Sequence, residues 1–447
     1  VVQLITVSLG VLLLAKSFQT IFMGAASASD QYWIALLGGS LIDEGYGVAV
    51  DSSDNIIVCG LTTSDGAGGY DLLVAKYDSS GTLIWDKTLG STVAERGYGV
   101  AVDSSDNIIV CGMRNLYGDE GLLVAKYNSS GVLQWDKILG GSLDDQGYGV
   151  TVDSLDNIIV CGRGTKSNGY DLLVAKYNSS GTLIWDKTLG GSTEEFGRSV
   201  TVDSSDNIIV CGSTQSDGAG SYDLLVAKYN SSGVLQWDKT LGGTDAEFSR
   251  GVAVDSSDNI IVCGNTQSDG AGSYDLLVTK YNSSGVLQWD KTLGGTGTEG
   301  GYGVAVDSSD NIIVCGYTSN AGIQFLVAKY NSSGVLQWDK MLKGVNQTDI
   351  FNDVTVDSSD NVIVCGYTYS IGAGSGDLIV AKLPPDGTGD GTYGTLVYQD
   401  ASLTSADAVL TDAAAVLTDA AAAFTSSAAS LTSADAVLTS ELFPISA

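Results

Sequence analysis

"SSDNIIVCG" occupies residues 52–60, and nearly the same letters return from Ser104, Ser154, Ser204, Ser256, Ser308 and Ser358. The seven copies hold all seven cysteines, Cys59, Cys111, Cys161, Cys211, Cys263, Cys315 and Cys365. The seven tryptophans, at 33, 85, 135, 185, 237, 289 and 338, keep the same spacing of 49 to 52 residues. A fixed period of this size marks one supersecondary unit repeated along the chain.

Within the first unit, "GVAVD" (residues 47–51) turns through "SSDN" into "IIVCG". A loop then leads to "DLLVAKY" (71–77), and "DSSG" turns into "TLIWDKTLG" (82–90). Short β-branched runs separated by Asp, Asn, Ser and Gly read as strands and tight turns. In the second strand Ile56 and Val58 face one way while Ile57 and Cys59 face the other, so both faces are apolar and both need covering. Four-stranded sheets packed face to face around an axis meet that need, which predicts an all-β, seven-bladed β-propeller over residues 30–400. A parallel solenoid is the competing architecture, but its coils are usually shorter and lack two hairpins per repeat.

The stretches "DEGYGVAVDSSDNIIVCG" (43–60), "DLLVAKYNSSG" (171–181) and "WDKTLGGS" (185–192) resemble the seven-bladed propeller repeat of many extracellular prokaryotic proteins. The resemblance covers about residues 31 to 383 and implies the fold; it implies no particular activity. Closure is open to two strands: the one around Trp33, or "GTLVYQD" at 394–400. The sequence favours Trp33, because the late copy has Tyr398 in place of Trp.

A disulfide needs Cα atoms within about 7 Å, whereas packed sheets lie about 10 Å apart. The cysteines therefore read as small buried hydrophobes rather than disulfide, metal or redox groups. With 21 basic against 52 acidic residues the net charge is −31, which excludes a nucleic-acid partner and suits an exposed extracellular protein. Asn128, Asn178, Asn230, Asn282 and Asn331 begin N-S-S sequons and Asn346 begins N-Q-T. Each is either a glycan acceptor or a turn residue copied with the repeat. The carboxylates Glu44, Glu95 beside Arg96, Asp144 with Asp145, Glu194 with Glu195, Asp245 with Glu247, and Glu299 are expected on a solvated rim. The chain has no histidine and so no Ser-His-Asp set, and it carries no P-loop or dinucleotide fingerprint. The sequence reading is of a protein that is not an enzyme and needs no cofactor.

The ends carry the functional expectation. Residues 1–23 are apolar with one charge, Lys16, and precede a linker of small residues to position 29. A signal peptide ending near "ASA" (26–28), a membrane anchor and a filament-core helix compete. The chain opens at Val1 without a basic leader, and the apolar run followed by a β-rich head resembles archaeal type IV pilins; Ile5 stands where bacterial ones carry Glu. The assembly surface would comprise Val1, Leu4, Ile5, Val7, Val11, Leu12 and Leu14, as a core helix or as a strand donated to a neighbour.

In residues 401–447, Leu403, Leu410, Leu417, Phe424, Leu431 and Leu438 recur every seven positions in an Ala-rich background. That pattern predicts a long heptad helix packed on other subunits, with a stalk or a helix lying on its own disc as alternatives. The reading is of an extracellular, cell-surface filament subunit: copies of itself assemble into a helical homopolymer, touching membrane only before assembly or as an anchor. The propeller would be displayed for adhesion to surface glycans or other cells. A non-polymerising adhesin or carbohydrate-binding propeller is the alternative.

Overall fold

The computed structural model describes residues 32–447 apart from 117–118, 141–143, 167–168, 320–321, 346–347, 415–417, 422–424, 428–431, 436–438 and 446–447. The first blade consists of Asp43–Val50, Ile56–Thr62, Asp71–Tyr77 and Leu83–Gly90, hydrogen-bonded in that order from the axis outward. Seven such sheets form the ring. Ile56, Ile57, Val58 and Cys59 are wholly buried, as the double-sided apolar pattern requires. Ile56 and Val58 pack with Ile363 and Cys365 of blade 7, while Ile57 and Cys59 pack with Ile108 and Val110 of blade 2. The core is thus a set of clusters between blades rather than one central mass.

Closure uses the N-terminal strand. Tyr32–Gly38 completes blade 7, pairing Trp33 with Lys382 and Leu37 with Leu378. The late copy, Leu396–Asp400, instead adds to the outside of Leu336–Lys343 in blade 6.

The tail departs from the expected heptad helix: its described residues are short strands. Thr404–Asp407, Thr411–Ala414, Thr418–Ala421, Thr425–Ser427 and Thr432–Asp435 add a fifth strand to blades 5, 4, 3, 2 and 1 in turn. Thr439–Ile445 then covers the closing strand of blade 7. The tail therefore circles the ring in reverse order of the blades. Its period of seven is a blade pitch: seven extended residues span about 23 Å, enough for one step between neighbouring outer edges. Leu403 and Ala401 pack into the cluster between blades 5 and 6, and Ala408 and Leu410 into that between blades 4 and 5. Leu417, Phe424, Leu431 and Leu438, and all the N-terminal assembly positions from Val1 to Leu14, lie outside the described residues. Helix propensity lost here because every outer edge offers an unpaired ladder of backbone donors and acceptors.

Two rings of polar contacts bind the blades on the turn face. Ser52 donates its backbone N–H and hydroxyl to Asp106 of the next blade at 2.9 and 2.8 Å. The relay continues around the ring until Ser358 donates to Asp54. These accepting aspartates sit at positive φ, near 60°, a conformation their short polar side chains tolerate. Above them Lys76 Nζ lies 2.7 Å from Asp51 and donates to the Ser129 carbonyl of the next blade's hairpin at 3.3 Å. The same pair recurs in every blade, ending with Lys382, Asp357 and the Ser79 carbonyl.

Removing one member of such a pair strands a buried charge. Lys228→Met, which orphans Asp203, is expected to cost about 3–5 kcal/mol in chemical denaturation, and Asp203→Asn added to it should recover part of the loss. A single-variant cost below about 1 kcal/mol, the range of exposed pairs, would contradict the role assigned to the lysine.

Candidate functional site: the axial channel

Each innermost strand carries one β-bulge. Its register slips between Gly45 and Gly47 in blade 1 and at the equivalent place in all the others, through Phe351 and Asp353 in blade 7. A bulge re-aims the extra residue. The residues so placed are Tyr46, Tyr98, Tyr148, Arg198, Arg250, Tyr302 and Asn352, and together they line an axial cavity of about 160 Å³. In five of the seven blades glycine follows the bulge, where the inner strands crowd one another: a Cβ on Gly149 would fall 2.9 Å from the Cα of Ser199.

The ring is polarised. Tyr46, Tyr98 and Tyr148 follow one another at 5.3 and 5.4 Å between ring centroids. The Arg198 guanidinium lies 4.5 Å from the centre of the Tyr148 ring, and that of Arg250 lies 5.3 Å from Tyr302. Burial, then the charge of Arg250, press the Arg198 pKa below the usual guanidinium value. On the opposite side Asn352 donates to the Gly45 carbonyl at 2.6 Å, and the Asp353 carboxylate accepts the Val48 N–H at 2.9 Å. Burial pushes Asp353 up to about 7. Glu44 accepts hydroxyls from Tyr46 and Tyr369.

The sequence reading missed this ring. In sequence the bulge column reads Tyr, Tyr, Tyr, Arg, Arg, Tyr, Asn, but the column two before it, from Glu44 and Arg96 to Gly300 and Ile350, varies at least as much, so nothing singled it out.

The solvated rim needs correcting. Glu95, Glu195, Glu247 and Glu299 are fully buried and Asp145 is 1% exposed. Glu247 shows the reason: it accepts the Gly243 N–H at 2.8 Å and the Thr266 hydroxyl at 2.7 Å, fixing the two loops above the blade. Asp245, in contrast, is exposed, and Glu44 and Glu194 are half-buried.

The sequons Asn128, Asn178, Asn230, Asn282 and Asn331 occupy the outer hairpins of the turn face. Asn128 Oδ1 accepts the N–H groups of Ser130 and Val132 at 3.1 and 2.9 Å; Asp78 does the same work in blade 1. Asn346 lies outside the described residues. All seven cysteines are free and buried, and burial pushes Cys111 and Cys211 up to about 12. Among the described residues no cluster of three metal-binding side chains occurs.

Comparison with known proteins agrees with the ring. A β-propeller repeat family matches residues 33–66, and a β-propeller domain of unknown function matches 204–235 and 358–393. The chain is a seven-bladed β-propeller, and these repeat families match parts of it. An uncharacterized WD repeat-containing protein of Acanthamoeba polyphaga mimivirus is 24% identical over 129 residues, a match spanning 24% of this chain and 9% of that protein.

Among solved structures, the periplasmic gluconolactonase of Pseudomonas aeruginosa is 12% identical with a TM-score of 0.46, covering 78% of this chain and 94% of its own. A polysaccharide lyase, an ulvan lyase bound to -[GlcA(1-4)Rha3S]-, is 11% identical with a TM-score of 0.48, covering 78% of this chain and 96% of its own. The likeness is one of fold and transfers no substrate. The expectation that the chain is not an enzyme is withdrawn: it rested only on the absence of familiar motifs, and a gluconolactonase and a polysaccharide lyase are among the solved structures similar to the chain.

Two measurements follow from these environments. Native protein should leave all seven thiols unmodified by a disulfide reagent at about pH 8 and release them on denaturation, since buried thiols of raised pKa are inert; rapid native labelling would contradict the burial. The carboxylates act in opposite directions. Burial pushes Asp51 up, but Lys76 and the Asn55 hydrogen bonds outweigh it and hold the pKa below 3.8, as for its six equivalents. Their stabilisation is present above the unfolded value and lost as pH falls through the folded one. Burial chiefly raises Asp71, Asp223, Asp275, Glu95 and Glu299, whose stabilisation is lost as pH rises through their folded values. Calorimetry should find the highest Tm in mild acid just above pH 3.8, the ordinary aspartate value, with lower values on both sides; a Tm falling steadily from about pH 7 to pH 3 would show that the raised group contributes nothing.

Proposed function

We propose that the chain is the subunit of an extracellular, pilus-like filament in which residues 1–23 pack on copies of themselves and the propeller faces the medium. The observation that carries this is the apolar segment with its single charge, Lys16, tethered by a short linker to the strand that closes the ring. Such a segment needs an apolar partner, and its burial is worth about 25 cal/mol per Å². The described tail strands are engaged by the chain's own blades, so assembly rests on the N-terminal segment.

The tether also orients the disc. Trp33 donates its indole N–H to the Ser79 carbonyl of a turn-face hairpin, so the chain enters the ring at that face. A filament core or membrane would then lie beneath the turn face, with the sequons around it. The variable loops and the channel mouth flanked by Glu44 and Tyr369 would point outward, toward surface glycans or other cells.

Electron microscopy of the full chain and of a chain lacking residues 1–23 tests the reading. Helical polymers from the first and single discs from the second are the expected result. Full-length material that stays as discs, or that binds vesicles without polymerising, would replace the filament with an anchored propeller.

A further inference from the structure

We infer that the axial channel is a binding site for a small oxyanion, held between Arg198 and Arg250. The first ground is the distribution of cations. The chain has only five arginines, at 96, 114, 163, 198 and 250, and all of them lie in blades 2–5. Elsewhere this strongly acidic protein pairs its buried cations: each third-strand lysine meets an aspartate, and Arg114 meets Glu95 at 3.2 Å. Arg198 and Arg250 are the two arginines that line the axial cavity. Among the described residues neither forms an ion pair, and the buried Nε of Arg250 has no hydrogen-bond partner.

The second ground is their mutual placement. The two side chains come from adjacent blades and from the same bulge position, so both border one cavity, and each charge bears on the other. Two guanidinium groups bordering one confined cavity repel each other, and an anion between them would offset that repulsion. Aromatic faces hold both in place: Arg198 is 4.5 Å from Tyr148 and 5.6 Å from Phe196, and Arg250 is 5.3 Å from Tyr302. A guanidinium so fixed presents a rigid fork suited to two oxygens of one ligand. The one carboxylate lining the cavity, Asp353, belongs to blade 7, and Glu44, bonded to the Tyr46 hydroxyl, to blade 1, leaving the arginine sector for the ligand.

Size limits the guest. A cavity of about 160 Å³ has room for roughly five waters at about 30 Å³ each, which admits a short organic carboxylate or an inorganic tetrahedral oxyanion and excludes a polymer chain from the channel itself. The chemistry recognised is the same in both cases.

Thermal-shift and calorimetric titrations of the full chain with sodium acetate and with sodium sulfate, against sodium chloride at equal ionic strength, test the assignment. The expected result is a saturable rise in Tm specific to one or both oxyanions. Tighter acetate binding identifies a carboxylate ligand and tighter sulfate binding a tetrahedral one. Arg198→Gln and Arg250→Gln should each weaken the response about tenfold or more, or about 1.4 kcal/mol. Arg250→Lys, which keeps the charge without the fork, should fall between them and the parent, and serves as the reporter if a glutamine variant fails to fold. Equal responses to oxyanions and chloride, or variants that respond like the parent, would overturn the site.

Discussion

The ring depends on a charge that no single blade can bury alone. Lys76 is satisfied by an aspartate of its own blade and by the hairpin carbonyl of the next, and the pattern repeats to the last blade, whose Lys382 reaches back to the first. A buried ammonium lacking either contact carries a desolvation penalty of several kcal/mol. Hydrophobic clusters between blades supply most of the attraction, yet apolar contact tolerates sliding and rotation. The lysine and serine relays do not, because each demands one register and one neighbour. They make a blade an incomplete unit and a closed circle the state in which each of these lysines has both of its contacts.

That division explains which parts of the architecture could be read in advance. Strands, turns and blade number follow from local chemistry: Ile56 to Cys59 are apolar on both faces, and Trp33 matches the fourth-strand pattern closely enough to identify the closing strand. The tail was misread because its seven-residue period has two physical sources. A heptad of Ala and Leu satisfies a helix seam, and an extended chain stepping from blade to blade has the same period. Only the presence of vacant outer edges decides between them, and an edge is a property of the assembled ring.

The channel was illegible for a related reason. Tyr46 and its equivalents lie within a strand of alternating small residues, and the register slip that turns them toward the axis arises from pairing with the Cys59 strand. Likewise Glu95 and Glu247 look like loop charges in sequence, whereas the fold brings the Ser91 and Thr266 hydroxyls and backbone N–H groups around them. Where a carboxylate ends up is decided by partners distant in the chain, so charge patterning alone assigned them to solvent.

The two ends of the chain meet at one strand. Tyr32–Gly38 is hydrogen-bonded along one edge to Asp377–Leu383 and along the other to Thr439–Ile445. Tension arriving through the N-terminal segment would run parallel to that strand and load both ladders in shear, so that many hydrogen bonds share the force at once instead of parting one by one. The same wrapping that hides the sheet edges thereby gives the closing strand two ladders across which such a load would be shared.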